Sequence, residues 1–142
     1  MPIHPLKTSF VILACLVIAG CSTTSTKPAI EKEILLQSSS SWDGSPYTAY
    51  PSGSPELTLL KLKIPANTEL EWHTHPIPNA AYILAGELTV EAKASGQTQL
   101  LKQGQTLAEM VGIVHRGKTG DRPVELIVFY AGSQGVPLSE KP

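Results

Sequence analysis

The sequence predicts an all-β domain of antiparallel strands, and three observations carry that reading. Short segments that alternate apolar and polar residues recur along the chain. Gly, Pro and Asn turns separate them at near-regular intervals. No window after Cys21 sustains a helical period. Many short strands between turn signals describe a sandwich or a barrel, and 142 residues suit one domain.

The segments justify this in order. Residues 1–21 stand apart. Lys7 gives a positive start, residues 10–18 are apolar, and Ile18-Ala19-Gly20 lead into Cys21. This is the layout of a secretory signal, too short for a spanning helix. Its ending resembles the lipobox of bacterial lipoproteins, which implies cleavage before Cys21 and acylation of that residue. An ordinary signal peptide or a signal anchor is the alternative. Ser22 stands where an inner-membrane retention Asp would sit. The resemblance therefore implies a lipid-anchored protein of the bacterial cell envelope, in the outer membrane and facing the periplasm. Residues 22–33 are small, polar and aperiodic, a flexible tether. Cys15 lies in the apolar stretch, so the mature domain keeps no free thiol, no disulfide framework and no thiolate metal site. The net charge is −1, with no basic run, which argues against a nucleic-acid partner.

The domain is expected over residues 34–142. Residues 34–37 are a short apolar run, expected as an edge strand. Residues 38–55 are rich in Ser, Gly and Pro, a long loop carrying Trp42, Tyr47 and Tyr50. Those aromatics either pack over one end of the core or form a lid beside a ligand pocket. Residues 56–64 alternate cleanly, with Leu60, Leu62 and Ile64 on one side and Lys61 and Lys63 on the other. Asn67 can take the left-handed conformation in the turn that follows. Strands are then expected at 70–75, 80–85, 88–92, 99–102 and 105–111, with turns at Pro76-Ile77-Pro78, Gly86, Ser95-Gly96-Gln97, Gly104 and Gly112. A Gly-rich turn is expected at 117–120. Residues 124–131 form the longest apolar run and the best central strand.

The chemistry concentrates in the histidines. His73 and His75 are two apart on an expected strand, so both imidazoles leave one face of the sheet. Imidazole is the commonest metal ligand. His4 lies in the expected leader, which leaves His115 as the other histidine of the domain. Taken singly, His73 and His75 also suit a solvated strand face, and His115 a hydrogen-bonded core position.

His73-Thr74-His75 and Gly86, followed by Gly104, Gly112 and His115, resemble the two motifs of the cupin superfamily. Asn67 occupies the first Gly slot, Asn79 the Glu slot, Met110 the Pro slot and Thr119 the closing Asn slot. The resemblance spans residues 57–131. It implies a cupin-type antiparallel jelly-roll β-barrel holding one divalent metal ion through His73, His75 and His115. Asn79 is then a neutral fourth ligand or a turn residue after Pro78. Imidazole ligands suit Fe, Zn, Ni or Cu, and the missing carboxylate argues against Mn.

Other polar residues divide two ways. Glu109 leads into Gly112 and is the catalytic candidate: buried, it would move a proton or support a ligand, and otherwise it is a surface residue. Glu71 shares the parity of the histidines, and Trp72 should face away. Arg116 meets an anionic substrate or is simply exposed, and Glu125 interrupts an apolar strand. The resemblance implies a metal-dependent enzyme acting on a small organic molecule, an oxygenase if the ion is iron or copper. A non-catalytic module binding a metal or small ligand is the alternative. Many cupins dimerise through edge strands, so a homodimer is a further expectation.

Overall fold

The computed structural model describes residues 27 and 29–142. The leader with Cys21, and residues 22–26 and 28 of the tether, lie outside the described residues. The domain forms the compact unit Glu33–Pro142. Among the described residues the elements are seven strands: β1 Pro55–Ile64, β2 Asn79–Ala85, β3 Glu87–Ala92, β4 Thr98–Lys102, β5 Thr106–Ala108, β6 His115–Thr119 and β7 Val124–Ser133. They form a four-stranded sheet in the order β1-β7-β2-β5 and a three-stranded sheet in the order β4-β3-β6, with all pairings antiparallel. This is the jelly-roll arrangement of an all-β domain.

The period-two pattern sorts side chains between core and solvent. From the larger sheet, Ile64, Ala81, Ile83, Leu107, Leu126, Val128 and Tyr130 are buried, and Leu88, Val90 and Leu101 join them from the smaller one. The alternate positions of β1 and β7 face out. There Glu125 bonds Lys61 at 3.1 Å and Lys63 at 3.2 Å, which explains the polar residue in an apolar strand. β7 is an inner strand of its sheet, as its apolar length predicts.

Four local expectations need correction. Residues 34–37 form no strand and are exposed; the run lacks a paired neighbour and touches the barrel through the Thr106 hydroxyl, which donates to the Leu35 carbonyl. Residues 70–75 form no continuous strand. Glu69 bridges Lys118 and His73 bridges His115, so the register slips by one residue between the two contacts, and Pro76 and Pro78 then end the segment. The strand expected at 105–111 stops at Ala108. Gly117 lies inside β6 rather than in a turn. A Cβ there would sit 3.1 Å from Leu88 Cδ1 and 3.4 Å from Leu70 Cδ1, so glycine admits the two leucines.

In the long loop, Trp42 packs against the core, the Tyr47 hydroxyl donates to the Glu109 carbonyl at 2.6 Å, and Tyr50 is exposed. Gly86 joins β2 to β3 at φ +81°, and Asn67 takes φ +52° in its turn.

Candidate metal centre

His115 opens β6, and its backbone is directly opposite His73. The His115 N–H donates to the His73 carbonyl at 2.9 Å and the His73 N–H returns the bond at 3.0 Å. Residues so paired send side chains to one face. His75 follows two residues on, and its carbonyl accepts from Gly112 at 2.9 Å. The three rings gather with centroids 4.6–4.9 Å apart. One ring nitrogen from each lies within 4.8 Å of the others. His75 and His115 are buried, and His73 is partly exposed.

Backbone carbonyls orient every ring. His73 Nδ1 meets the Glu71 carbonyl at 2.9 Å, His75 Nδ1 the Leu138 carbonyl at 2.7 Å and His115 Nδ1 the Ile113 carbonyl at 2.8 Å. A carbonyl only accepts, so each Nδ1 carries a proton, and in the neutral ring the lone pair is then on Nε2. This is the support that metal-bound histidines use. Burial pulls the His75 pKa down to about 4, against the opposing pull of the Leu138 carbonyl. Burial also lowers the pKa of His115. Both rings are therefore neutral at pH 7, the state that binds a cation.

Glu109 enters the same space. It is buried, and its Oε2 lies 3.5 Å from His115 Nε2. Neither atom has a hydrogen-bond partner, so the contact is close without being a hydrogen bond. Burial pushes the Glu109 pKa up to about 7, partly offset by the Met110 backbone N–H. With the histidine pKa lowered and the carboxyl pKa raised, the two are not a simple ion pair in the metal-free protein. Two orphaned buried groups facing each other beside two further lone pairs fit a metal ion. Asn79 is buried as well. Its Nδ2 donates to the Ile77 carbonyl at 3.2 Å, and its Oδ1 is unsatisfied.

Tyr130 is the residue that sequence reasoning missed. Its ring meets His75 edge-on at 5.6 Å, and burial raises its pKa to about 12, with Glu109 adding to the effect. The signal was available: Tyr130 shares the parity of Leu126 and Val128. The Leu138 carbonyl had no sequence signal. The three histidines, Glu109 and Tyr130 line a cavity of about 60 Å³ walled by Leu62, Leu70, Leu88 and Val128. A larger cleft of about 560 Å³ lies elsewhere, beneath residues 36–50, and includes none of the histidines.

The other polar candidates face away. Glu71 is exposed and contributes its carbonyl rather than its carboxylate. The Arg116 guanidinium stacks on Trp72 at 4.3 Å and bonds Glu69 at 2.6 Å and Glu91 at 3.2 Å, outside the barrel.

The family model described as "Cupin domain" matches residues 60–130, half of the chain. This chain belongs to the cupin family. The cupin is 35% identical over 75 residues to a Bacillus subtilis (strain 168) protein named "Uncharacterized protein YdbB", covering 52% of this chain and 66% of that one. Its structure is similar to that of the DMSP lyase DddQ from Ruegeria pomeroyi: 26% identity, TM-score 0.54, covering 69% of this chain and 46% of that one. It is also similar to the polyketide cyclase RemF from Streptomyces resistomycificus, at 18% identity and TM-score 0.53, covering 63% and 61%. The cupin therefore spans less than two thirds of the length of these relatives. The three histidines are placed to hold one metal ion.

Proposed function

We propose that this cupin is a metal-dependent enzyme of the bacterial cell envelope that transforms a small organic molecule. The observation that carries the reading is the convergence of three preoriented imidazole nitrogens in an apolar cavity. His73, His75 and His115 would hold the ion, which would supply Lewis acidity or, as iron or copper, redox chemistry with O2. The chain supplies the rest. Apolar walls limit water at the site, and the Tyr130 hydroxyl stays protonated as a donor at neutral pH. The partly exposed His73 marks the side from which a small molecule reaches the cavity. Its volume of about 60 Å³ is small, so only the reacting end of a substrate enters.

An oxygenase is the reading for iron or copper. A lyase is the reading for a redox-inert ion, supported by the likeness to the DMSP lyase. The narrow cavity favours a second reading, a non-catalytic module that binds the ion itself. Metal analysis of protein purified without added metal separates them. Iron or copper near one per chain, with O2 uptake from a substrate pool, supports the oxygenase. Tightly held zinc with turnover of a small-molecule pool supports the lyase, and zinc without turnover supports the module. No bound metal after reconstitution would sink the metal centre.

The lipobox resemblance supports attachment through an acylated Cys21, with residues 22–33 holding domain 34–142 at the outer membrane, facing the periplasm. Cys21→Ala should move the protein from the detergent phase to the aqueous phase, and unchanged partitioning would refute the anchor. A homodimer is supported by the outer face of β1 and β7. There Leu57 and Leu59 are 71% and 67% exposed, and Leu59 sits opposite the exposed Phe129. Sedimentation of the domain should show a dimer that Leu59→Lys disrupts.

A further inference from the structure

We propose that Glu109 is the fourth, anionic ligand of the metal centre, supplying from the residue just after β5 the carboxylate that the family motif places at position 79. The inference rests on the metal-centre reading above. β2 and β5 pair with Ala80 opposite Ala108 and Ala81 opposite Leu107. One step further along this register, Asn79 is opposite Glu109, and the Glu109 N–H donates to the Asn79 carbonyl at 3.1 Å. Residues directly opposite share a face, with Cβ atoms about 4.5–5.5 Å apart. That face is the inner one, because Ala81 and Leu107 of the same parity are buried in the core. A side chain at 109 therefore reaches the same interior as one at 79.

The two residues differ in what they can offer there. Asn79 is neutral: its Nδ2 donates to the Ile77 carbonyl, and its buried Oδ1, though unpartnered, carries no charge. Glu109 Oε2 is buried, has no hydrogen-bond partner, and lies 3.5 Å from the unpartnered Nε2 of His115. Two ligand atoms each about 2.1 Å from one tetrahedral ion are roughly 3.4 Å apart, so the Glu109 spacing to His115 is that of two ligands of one metal, while the mutually close set of ring nitrogens is formed by the three histidines. The backbone at Glu109 is held from both sides, by Asn79 and by the Tyr47 hydroxyl, which fixes where the side chain starts. Charge favours the same assignment. Three neutral imidazoles leave a dication uncompensated in an apolar cavity, and a carboxylate ligand halves that charge.

The test is metal binding, measured by chelator competition with Zn(II) and by the visible absorption of the Co(II) protein. Glu109→Gln should weaken Zn(II) binding more than about 100-fold, beyond the range typical of an outer hydrogen-bond partner, and should change the Co(II) spectrum. The double variant Asn79→Glu with Glu109→Gln, which returns the carboxylate to the motif position, should recover most of the affinity. Circular dichroism checks that each variant is folded. Wild-type affinity and spectrum in Glu109→Gln, with affinity lost in Asn79→Ala, would overturn the proposal and make Asn79 the ligand. Unchanged binding in Glu109→Gln with lost turnover would overturn it in favour of a proton-transfer role. Absence of metal binding by the wild-type protein would instead remove the metal-centre reading on which the inference stands.

Discussion

Glu109 should make the metal-free protein less stable as pH rises, and Glu109→Gln should remove that cost. The folded-state pKa is raised from 4.5 to about 7 by burial. A carboxyl with a raised folded pKa binds more protons in the folded state than in the unfolded state between those values. Its penalty is absent below about pH 4.5, grows through the interval and is complete above about pH 7. The shift corresponds to about 3 kcal/mol at 1.36 kcal/mol per unit, for a residue only 8% exposed. His75 runs the opposite way. Its folded pKa is lowered from 6.5 to about 4, so its contribution is complete above 6.5 and is lost as pH falls toward 4. In the wild type the Glu109 slope opposes those of His75 and of His115, whose pKa burial also lowers, and so flattens the rise of stability with pH between about pH 4.5 and 6.5. In Glu109→Gln the histidine slope stands alone and stability rises with pH. The assay is urea unfolding of chelator-treated protein at several pH values. The variant and wild type should match near pH 4 and differ by about 3 kcal/mol at pH 8, a shift of roughly 1–3 M in the urea midpoint. A divalent ion should reverse the order at pH 8. A gap that is constant with pH would refute the placement of a buried, unpartnered carboxyl at this site.

Deleting residues 136–142 removes the Leu138 carbonyl from His75 and the paired bonds between Thr74 and Glu140. Metal affinity should fall about 10–100-fold, read by chelator competition on protein shown to be folded; unchanged affinity would deny the tail its orienting role. Gly86→Ala forces a side chain onto a backbone at φ +81° and against the Pro123 carbonyl, so thermal unfolding should show a loss of at least about 2 kcal/mol. Arg116→Ala removes the stack on Trp72 and the bonds to Glu69 and Glu91. It should lower Tm by about 4–8 °C for a loss near 1 kcal/mol and leave metal affinity within about twofold, whereas a large loss of affinity would place Arg116 at the site.

The sequence by itself determined which residues could enter the barrel. Alternation in residues 56–64 separated Leu60, Leu62 and Ile64 from Lys61 and Lys63, and the structure keeps that division. The two-residue spacing put His73 and His75 on one face for the same reason, since strand side chains alternate. The cupin motif added His115 and indicated Asn79 as the irregular position. Local pattern could not supply register between distant segments. That His73 sits opposite His115 follows from pairing across forty-two residues, and that Glu109 sits opposite Asn79 follows from pairing across thirty. Nothing in the tail predicts that Leu138 lends its carbonyl to His75, because a carbonyl is common to every residue and only the path of the chain brings this one near. The edge strand expected at 34–37 failed on the same ground: apolar residues can favour a strand, but a strand also requires a neighbour. Residue type and spacing thus chose the candidate ligands. The tertiary structure decided their orientation and burial, and whether a carboxylate stands beside them.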